Sequence, residues 1–289
     1  MKLARFTEGG TTRLGLVEGN EIADLASADE RLPADLRLLL DQGEDAWQRL
    51  PALAARARRL PLDAVRLEAP LVPRKFLGLG MSFRSHVEHA KTKGGSAPPH
   101  QIWFNKQITS VNGPFDPIHL PPIVSELDYE GELALVIGKR GRYVRRGDAG
   151  AYIAGYMICN DVSARDWQRR SPTAMLGKSF DTHGPIGPWL TFAQDGPDPA
   201  DMRIRTWVDG ELRQDGNTAE LIYSLGEMIE ELSQVFTLEP GDILTTGSPI
   251  GTGQTMTPPR FLSTGQLVRI EIDGLGAIEN PVIADPAAT

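Results

Sequence analysis

The chain has 289 residues, 40% of them hydrophobic and 24% charged, and a net charge of −8. That length can bury a large core in one main domain with a smaller appendage. The acidic balance argues against a nucleic-acid partner, no apolar run is long enough to span a membrane, and the single Cys159 excludes an internal disulfide.

The chain opens on short strands, Lys2 to Thr7 and Thr12 to Val17, with Glu18-Gly19-Asn20 turning into Glu21-Ile22-Ala23. The N-terminus, MKLARFTEGG, lacks the apolar segment of a signal peptide, so a cytoplasmic location is expected. Leu36, Leu38, Leu39 and Leu40 form a helical face ended by Gly43, and Pro51 opens a helix from Ala52 to Leu60. Arg56, Arg58 and Arg59 read as its solvated side. The stretch from Pro61 to Pro70 breaks the pattern. A boundary near residue 68 therefore divides a small N-terminal α/β domain, residues 1–68, from the main domain, residues 69–289.

Beyond Pro70 short strands alternate with Pro and Gly. Phe76-Leu77-Gly78-Leu79-Gly80 is a buried strand, followed by a helix containing Ser85-His86-Val87-Glu88-His89-Ala90. Lys91 to Pro99 is polar and glycine-rich, which suits a lid. Further strands are expected at Ile102 to Lys106 and Ala151 to Cys159, with a hairpin at Trp207 to Leu212 turning on Asp209-Gly210. Ser224 and Glu227 make a capping box for a helix whose apolar face is Leu225, Met228, Ile229, Leu232 and Phe236. Glu239 to Asp242 turns into a strand from Ile243, and Leu267 to Asp273 alternates as a last strand. Many strands and few helices make a β-rich α+β protein.

The stretch Leu127 to Gly138 carries the first chemistry. Glu130 and Glu132, two residues apart on a strand, share one face that continues into Ala134 and Val136. Two carboxylates on a strand that becomes buried need a positive partner, and a hard divalent cation with oxygen ligands supplies one. The plain alternative is that both are simply hydrated. Asp161 ends a buried strand; it caps a short helix, or it is the third carboxylate of an oxygen triad. Lys178 sits in the flexible Gly177-Lys178-Ser179 segment, solvated or, beside three carboxylates, placed to hold a developing enolate. Thr246-Gly247-Ser248-Pro249 lacks the Lys and spacing of a phosphate loop, yet its N–H groups suit a small carboxylate. His86 and His89 share a helix face without zinc-site partners; His86 is a surface histidine or a general base. Cys159 reads as an inert buried thiol.

These pieces together resemble the fumarylacetoacetate hydrolase family. The matching segments, in family order, are Leu127-Asp128-Tyr129-Glu130-Gly131-Glu132-Leu133, Asn160 to Gln168, Gly177-Lys178-Ser179-Phe180-Asp181 and Thr246 to Gly251, within about residues 70 to 283. The resemblance implies a mixed β-sandwich roll domain behind the small N-terminal one, usually as a homodimer. It implies Mg²⁺ or Mn²⁺ on Glu130, Glu132 and Asp161, and Arg165, Gln168 and Lys178 at the substrate. Lys106, Thr246 and Ser248 join them as substrate-binding residues, Ser248 standing where the family usually has Thr. One departure stands out: where the family's helix carries a Glu to pair with its His, this chain has His89. The leading expectation is a metal-dependent hydrolase that cleaves a C–C bond in a 2,4-diketo acid, an acylpyruvate or a diketo-deoxy sugar acid. His86 would activate the water, with metal and Lys178 holding the pyruvate enolate. The rival keeps the metal without the water: oxaloacetate-type decarboxylation or keto–enol isomerisation. A non-catalytic keto-acid-binding protein is the third reading.

Overall fold

Hydrophobic alternation turns the first strands, Lys2–Glu8, Thr11–Glu18 and Glu21–Asp24, into an antiparallel meander, with Leu3 opposite Leu16 and Gly15 opposite Asp24. The structure, a computed structural model, describes residues 1–288. Three short helices follow, Leu36–Leu40, Glu44–Gln48 and Leu50–Ala54, burying Leu36, Leu39, Trp47 and Leu50. The helix expected from Pro51 to Leu60 stops at Ala54. Arg58–Pro61 is instead a strand, with Ile22 opposite Leu60. Its arginines are not a solvated helix face: Arg58 meets Asp24 (3.1 Å) and Glu8 (2.5 Å), and Arg59 meets Glu18 (2.6 Å).

Lys2–Glu8 also pairs with Gly184–Phe192. The N-terminal strands thus continue one sheet, which runs on through Ile153–Asn160, Gly131–Ile137, Ile243–Thr245, Phe76–Gly80 and Ile102–Lys106. Its strands are antiparallel along this path except where Ile243–Thr245 runs parallel to Phe76–Gly80. One face of the sheet presents Ala134, Val136, Met157 and Cys159 to the N-terminal leucines. The other presents Leu133, Leu135 and Ile158 to a second sheet in the order Glu211–Asn217, Arg203–Val208, Leu267–Ile272, Gly276–Ala284, Ile118–Leu120. The result is the expected β-rich sandwich. Each Leu or Ile fully buried between these layers stabilises by roughly 1.5–3 kcal/mol. The boundary expected near residue 68 falls between the strands Arg66–Glu68 and Phe76–Gly80, while sheet and core are continuous across it.

Local signals behave as their chemistry requires. Asp209 and Gly210 both take positive φ (50° and 80°), which the two-residue hairpin needs. Ser224 Oγ accepts from the Glu227 N–H (3.2 Å) and the Glu227 carboxylate accepts from the Ser224 N–H (2.9 Å), opening the helix Leu225–Val235. Among the described residues no helix is long and apolar enough to cross a membrane.

Candidate active site

Gly131 pairs with Asn160 across the two central strands, so Glu130 and Glu132 arrive beside Asp161 at the same end of the sheet. Two bonds fix the junction: the Asp161 N–H donates to the Glu130 carbonyl (2.9 Å), and the Glu130 N–H donates to Asn160 Oδ1 (3.1 Å). All three carboxylates are buried, and one oxygen from each lies within 4.8 Å of the others.

Cations surround this cluster unevenly. Lys106 Nζ donates to Asp161 Oδ1 (2.6 Å), Lys178 bridges Glu130 and Asp161, and Arg165 lies 3.0 Å from Glu130 and 2.9 Å from Asp128. Burial pushes the Glu130 carboxyl up, but Arg165 and Lys178 outweigh it and hold the group well below the usual carboxylate range. Among the described residues no salt bridge reaches Glu132, which accepts from the Gly247 N–H (2.9 Å). Burial, then the charges of Asp161 and Glu130, push its carboxyl well above the usual range. Counted together, the four buried carboxylates Asp128, Glu130, Glu132 and Asp161 face three buried cations, Lys106, Lys178 and Arg165. An oxygen-preferring divalent cation fits this donor set, since it would supply the positive charge that Glu132 lacks.

The triad opens into a cavity of about 160 Å³ whose lining includes His86, Gln168, Lys178, Ser248, Phe104 and Met81. Pockets for drug-sized ligands span roughly 300–1,000 Å³, so this smaller cavity suits a small molecule. Gly247 shapes one wall with φ +83°; a Cβ there would meet Ser82 Oγ at 2.0 Å and the Leu79 carbonyl at 2.7 Å. Of the residues expected at the substrate, Lys178, Gln168, Ser248 and His86 face the cavity. Arg165, Lys106 and Thr246 do not line it. Arg165 stands behind Glu130, fully buried, and Lys106 braces Asp161. The Thr246 carbonyl accepts from Ser82 and its N–H donates to Leu133 (3.0 Å). Two further side chains hold the site together, and sequence alone assigns neither a role. Ser163 Oγ donates to Glu130 Oε2 (3.0 Å), and Asp128 holds Arg165. Both lie inside motif segments, but only the folded register reveals what they touch.

His86 sits in the helix Arg84–Thr92, which takes the first two residues of the expected lid loop. Its Nε2 is buried without a hydrogen-bond partner. Burial, partly offset by Glu130, pushes its pKa down to about 4, so the imidazole is neutral near pH 7. Glu88 is exposed, and among the described residues no salt bridge joins His86 to a carboxylate. The Cys159 thiol is buried and pushed well above its ordinary range, as an inert thiol should be.

Comparison with known proteins adds names to this geometry. Residues 75–283 match the family model "Fumarylacetoacetate (FAA) hydrolase C-terminal", and residues 1–70 match "Rv2993c-like, N-terminal". Oxaloacetate tautomerase fahd2, mitochondrial, of Xenopus laevis is 40% identical, over 98% of this chain and 90% of that protein. Among solved structures, the fumarylacetoacetate hydrolase of Exiguobacterium antarcticum aligns with a TM-score of 0.86 at 35% identity, over 98% of this chain and 99% of that one. Maleylpyruvate hydrolase from a Sphingobium species, holding manganese(II) and pyruvate, aligns with a TM-score of 0.82 at 33% identity, over 99% of this chain and 100% of that one.

Proposed function

The chain belongs to the fumarylacetoacetate hydrolase family, and we infer that it is a metal-dependent keto–enol tautomerase of small 2-oxo dicarboxylic acids such as oxaloacetate. The observation that carries this reading is His86: a neutral base in the same cavity as the carboxylate triad, with no carboxylate partner. Glu130, Glu132 and Asp161 would hold Mg²⁺ or Mn²⁺. Such an ion, when bound, supplies a Lewis acid for the substrate's 2-oxo group and adjoining carboxylate.

The chain's own groups then divide the work. His86 Nε2 takes a proton from C3 as the C–H bond breaks, and its electron pair becomes the C2–C3 double bond. Lys178 stays protonated between its carboxylates and stabilises the negative charge that forms on the 2-oxygen. The proton returns to that oxygen, giving the enol with no change in composition. The imidazolium exists only beside the enolate it has just made, so it needs no second carboxylate. Water-activated C–C cleavage requires it to persist through a longer sequence, which is where a His–Glu pair would help. The 160 Å³ cavity and the tautomerase relative both favour a four-carbon substrate.

C–C hydrolysis of an acylpyruvate remains the second reading, favoured by the pyruvate-holding maleylpyruvate hydrolase neighbour. The purified protein loaded with Mg²⁺ or Mn²⁺ should accelerate loss of the oxaloacetate enol's ultraviolet absorbance, lose that acceleration in a chelator, and leave acylpyruvates uncleaved. Rapid acylpyruvate cleavage without tautomerisation would reverse the order of the two readings. A homodimer belongs to the same reading, and light scattering tests it.

A further inference from the structure

Asp128 is completely buried two residues before Glu130, and its carboxylate accepts four hydrogen bonds. Oδ1 takes the N–H groups of Tyr129 (3.0 Å) and Gly253 (2.7 Å); Oδ2 takes Gln254 N–H (3.1 Å) and Arg165 Nε (2.9 Å). Gly253 is required by this approach, because a Cβ there would stand 2.7 Å from Asp128 Oδ1 and 2.3 Å from the Arg260 carbonyl oxygen. One carboxylate therefore ties together the strand leading to Glu130, the loop reaching Gln254 at the cavity wall, and Arg165.

Arg165 spends the rest of its guanidinium on the site. Nη1 donates to Gln168 Oε1 (3.0 Å), and Nη2 lies 3.0 Å from Glu130 Oε1. A guanidinium only donates, so it dictates which end of the Gln168 carboxamide turns towards it. The oxygen is held by Arg165, which leaves the Nε2 amide as the donor end at the cavity that Gln168 lines. Without Asp128 the guanidinium would lose the carboxylate that holds Nε and would turn more fully onto Glu130, freeing Gln168 to flip.

We propose that Asp128 is a positioning residue: acting through Arg165, it fixes the donor end of Gln168 that meets an oxygen of the bound substrate. This rests on the reading of the cavity as a 2-oxo acid site. The probe is oxalate, whose two adjoining carboxylates mimic a planar enolate, bound to the Mg²⁺-loaded protein. Calorimetry compares the parent, Asp128→Asn, Gln168→Ala and the double variant. Each single change is expected to weaken oxalate about tenfold, the loss of one hydrogen bond to an anion. The double variant should be no weaker than the worse single one, because both changes remove the same contact. Losses that multiply between two residues that do not touch, or an unchanged Asp128→Asn, would overturn the proposal.

A second readout needs neither metal nor substrate. The Gln168 side-chain amide pair in the nitrogen-15 spectrum, identified by its disappearance in Gln168→Ala, should shift towards the free-amide position in Asp128→Asn. Arg165→Lys, which removes the Nη1 contact while keeping a cation, should move it likewise, and it serves if Asp128→Asn does not fold. An amide pair unmoved in the folded variants refutes the proposal. Failure of the functional reading looks different: the parent would then bind no oxalate and catalyse no tautomerisation, while the amide result would stand.

Discussion

Glu132→Gln separates the two roles of that side chain, because its effects on metal binding and on the metal-free fold should have opposite signs. Gln is nearly isosteric and its Oε1 can still accept from the Gly247 N–H. It removes the one carboxylate of the four that no buried cation offsets, so the metal-free variant should be more stable than the parent, by about 1–3 kcal/mol. Metal affinity should fall by more than about a hundredfold, since losing even an outer-shell partner costs roughly 10–100-fold. At a Mg²⁺ concentration about 100 times the parent's Kd, the ion stabilises the parent by about 2.7 kcal/mol; after a hundredfold weakening only about 0.4 kcal/mol remains. At roughly 2 °C per kcal/mol for a chain this long, the metal-induced rise in Tm shrinks from about 5 °C to about 1 °C. Thermal scans of both proteins with Mg²⁺ and with a chelator measure both signs at once. A variant that is less stable without metal, or that keeps the full metal-induced rise, refutes the argument.

Three further outcomes follow from the geometry. His86→Ala should slow tautomerisation about a hundredfold or more with little change in Tm, and an unchanged rate would remove His86 from the chemistry. His183 is fully buried, its Nε2 on the His119 carbonyl (2.9 Å), and burial pushes its pKa down to about 3 from an ordinary value of about 6.5. Unfolding therefore takes up a proton between about pH 6.5 and 3, so this contribution is whole above that window and stability falls as pH falls through it. His183→Gln, which keeps a donor, should flatten the acid limb of a denaturant-midpoint curve; an unaltered slope there counts against it. Residues 69–289 expressed alone should bind a hydrophobic dye and lose near-ultraviolet dichroism, because Leu3, Leu36 and Leu50 no longer cover Ala134 and Met157. A fragment with native-like dichroism would show that the division near residue 68 yields an independent domain.

The parts of this molecule written in short-range pattern were legible before folding. The Asp209-Gly210 turn and the Ser224–Glu227 cap depend on near neighbours, and each lies where that chemistry places it. Glu132 is on its strand and Asp161 directly follows the strand Ile153–Asn160, but Glu130 lies in a break between the strands Leu127–Asp128 and Gly131–Ile137 that the sequence reads as one. Arg58–Pro61 was not legible. Arginine favours helices, but these side chains pair with Glu8, Glu18 and Asp24 across the sheet, partners 34 to 50 residues away. Arg165 likewise gives no local sign that it turns towards Asp128 and Glu130, because that direction depends on Leu127–Asp128 pairing with Ser163–Ala164.

The parallel pairing of Ile243–Thr245 with Phe76–Gly80 has a consequence in time. Next to it Lys75 Nζ reaches Asp242 Oδ2 at 2.6 Å, across 167 residues of chain. Closing a loop of that length costs about 4.5 kcal/mol of chain entropy plus a constant, and contacts so distant in sequence slow folding. The Gly247 amide that cradles Glu132 lies just beyond this late strand. On a ribosome, Glu130, Glu132 and Asp161 emerge long before the segment that completes their pocket. Any cation that the triad takes up would then have to wait until synthesis is nearly over, and a nascent chain arrested ahead of residue 243 carries its acidic cluster unfinished.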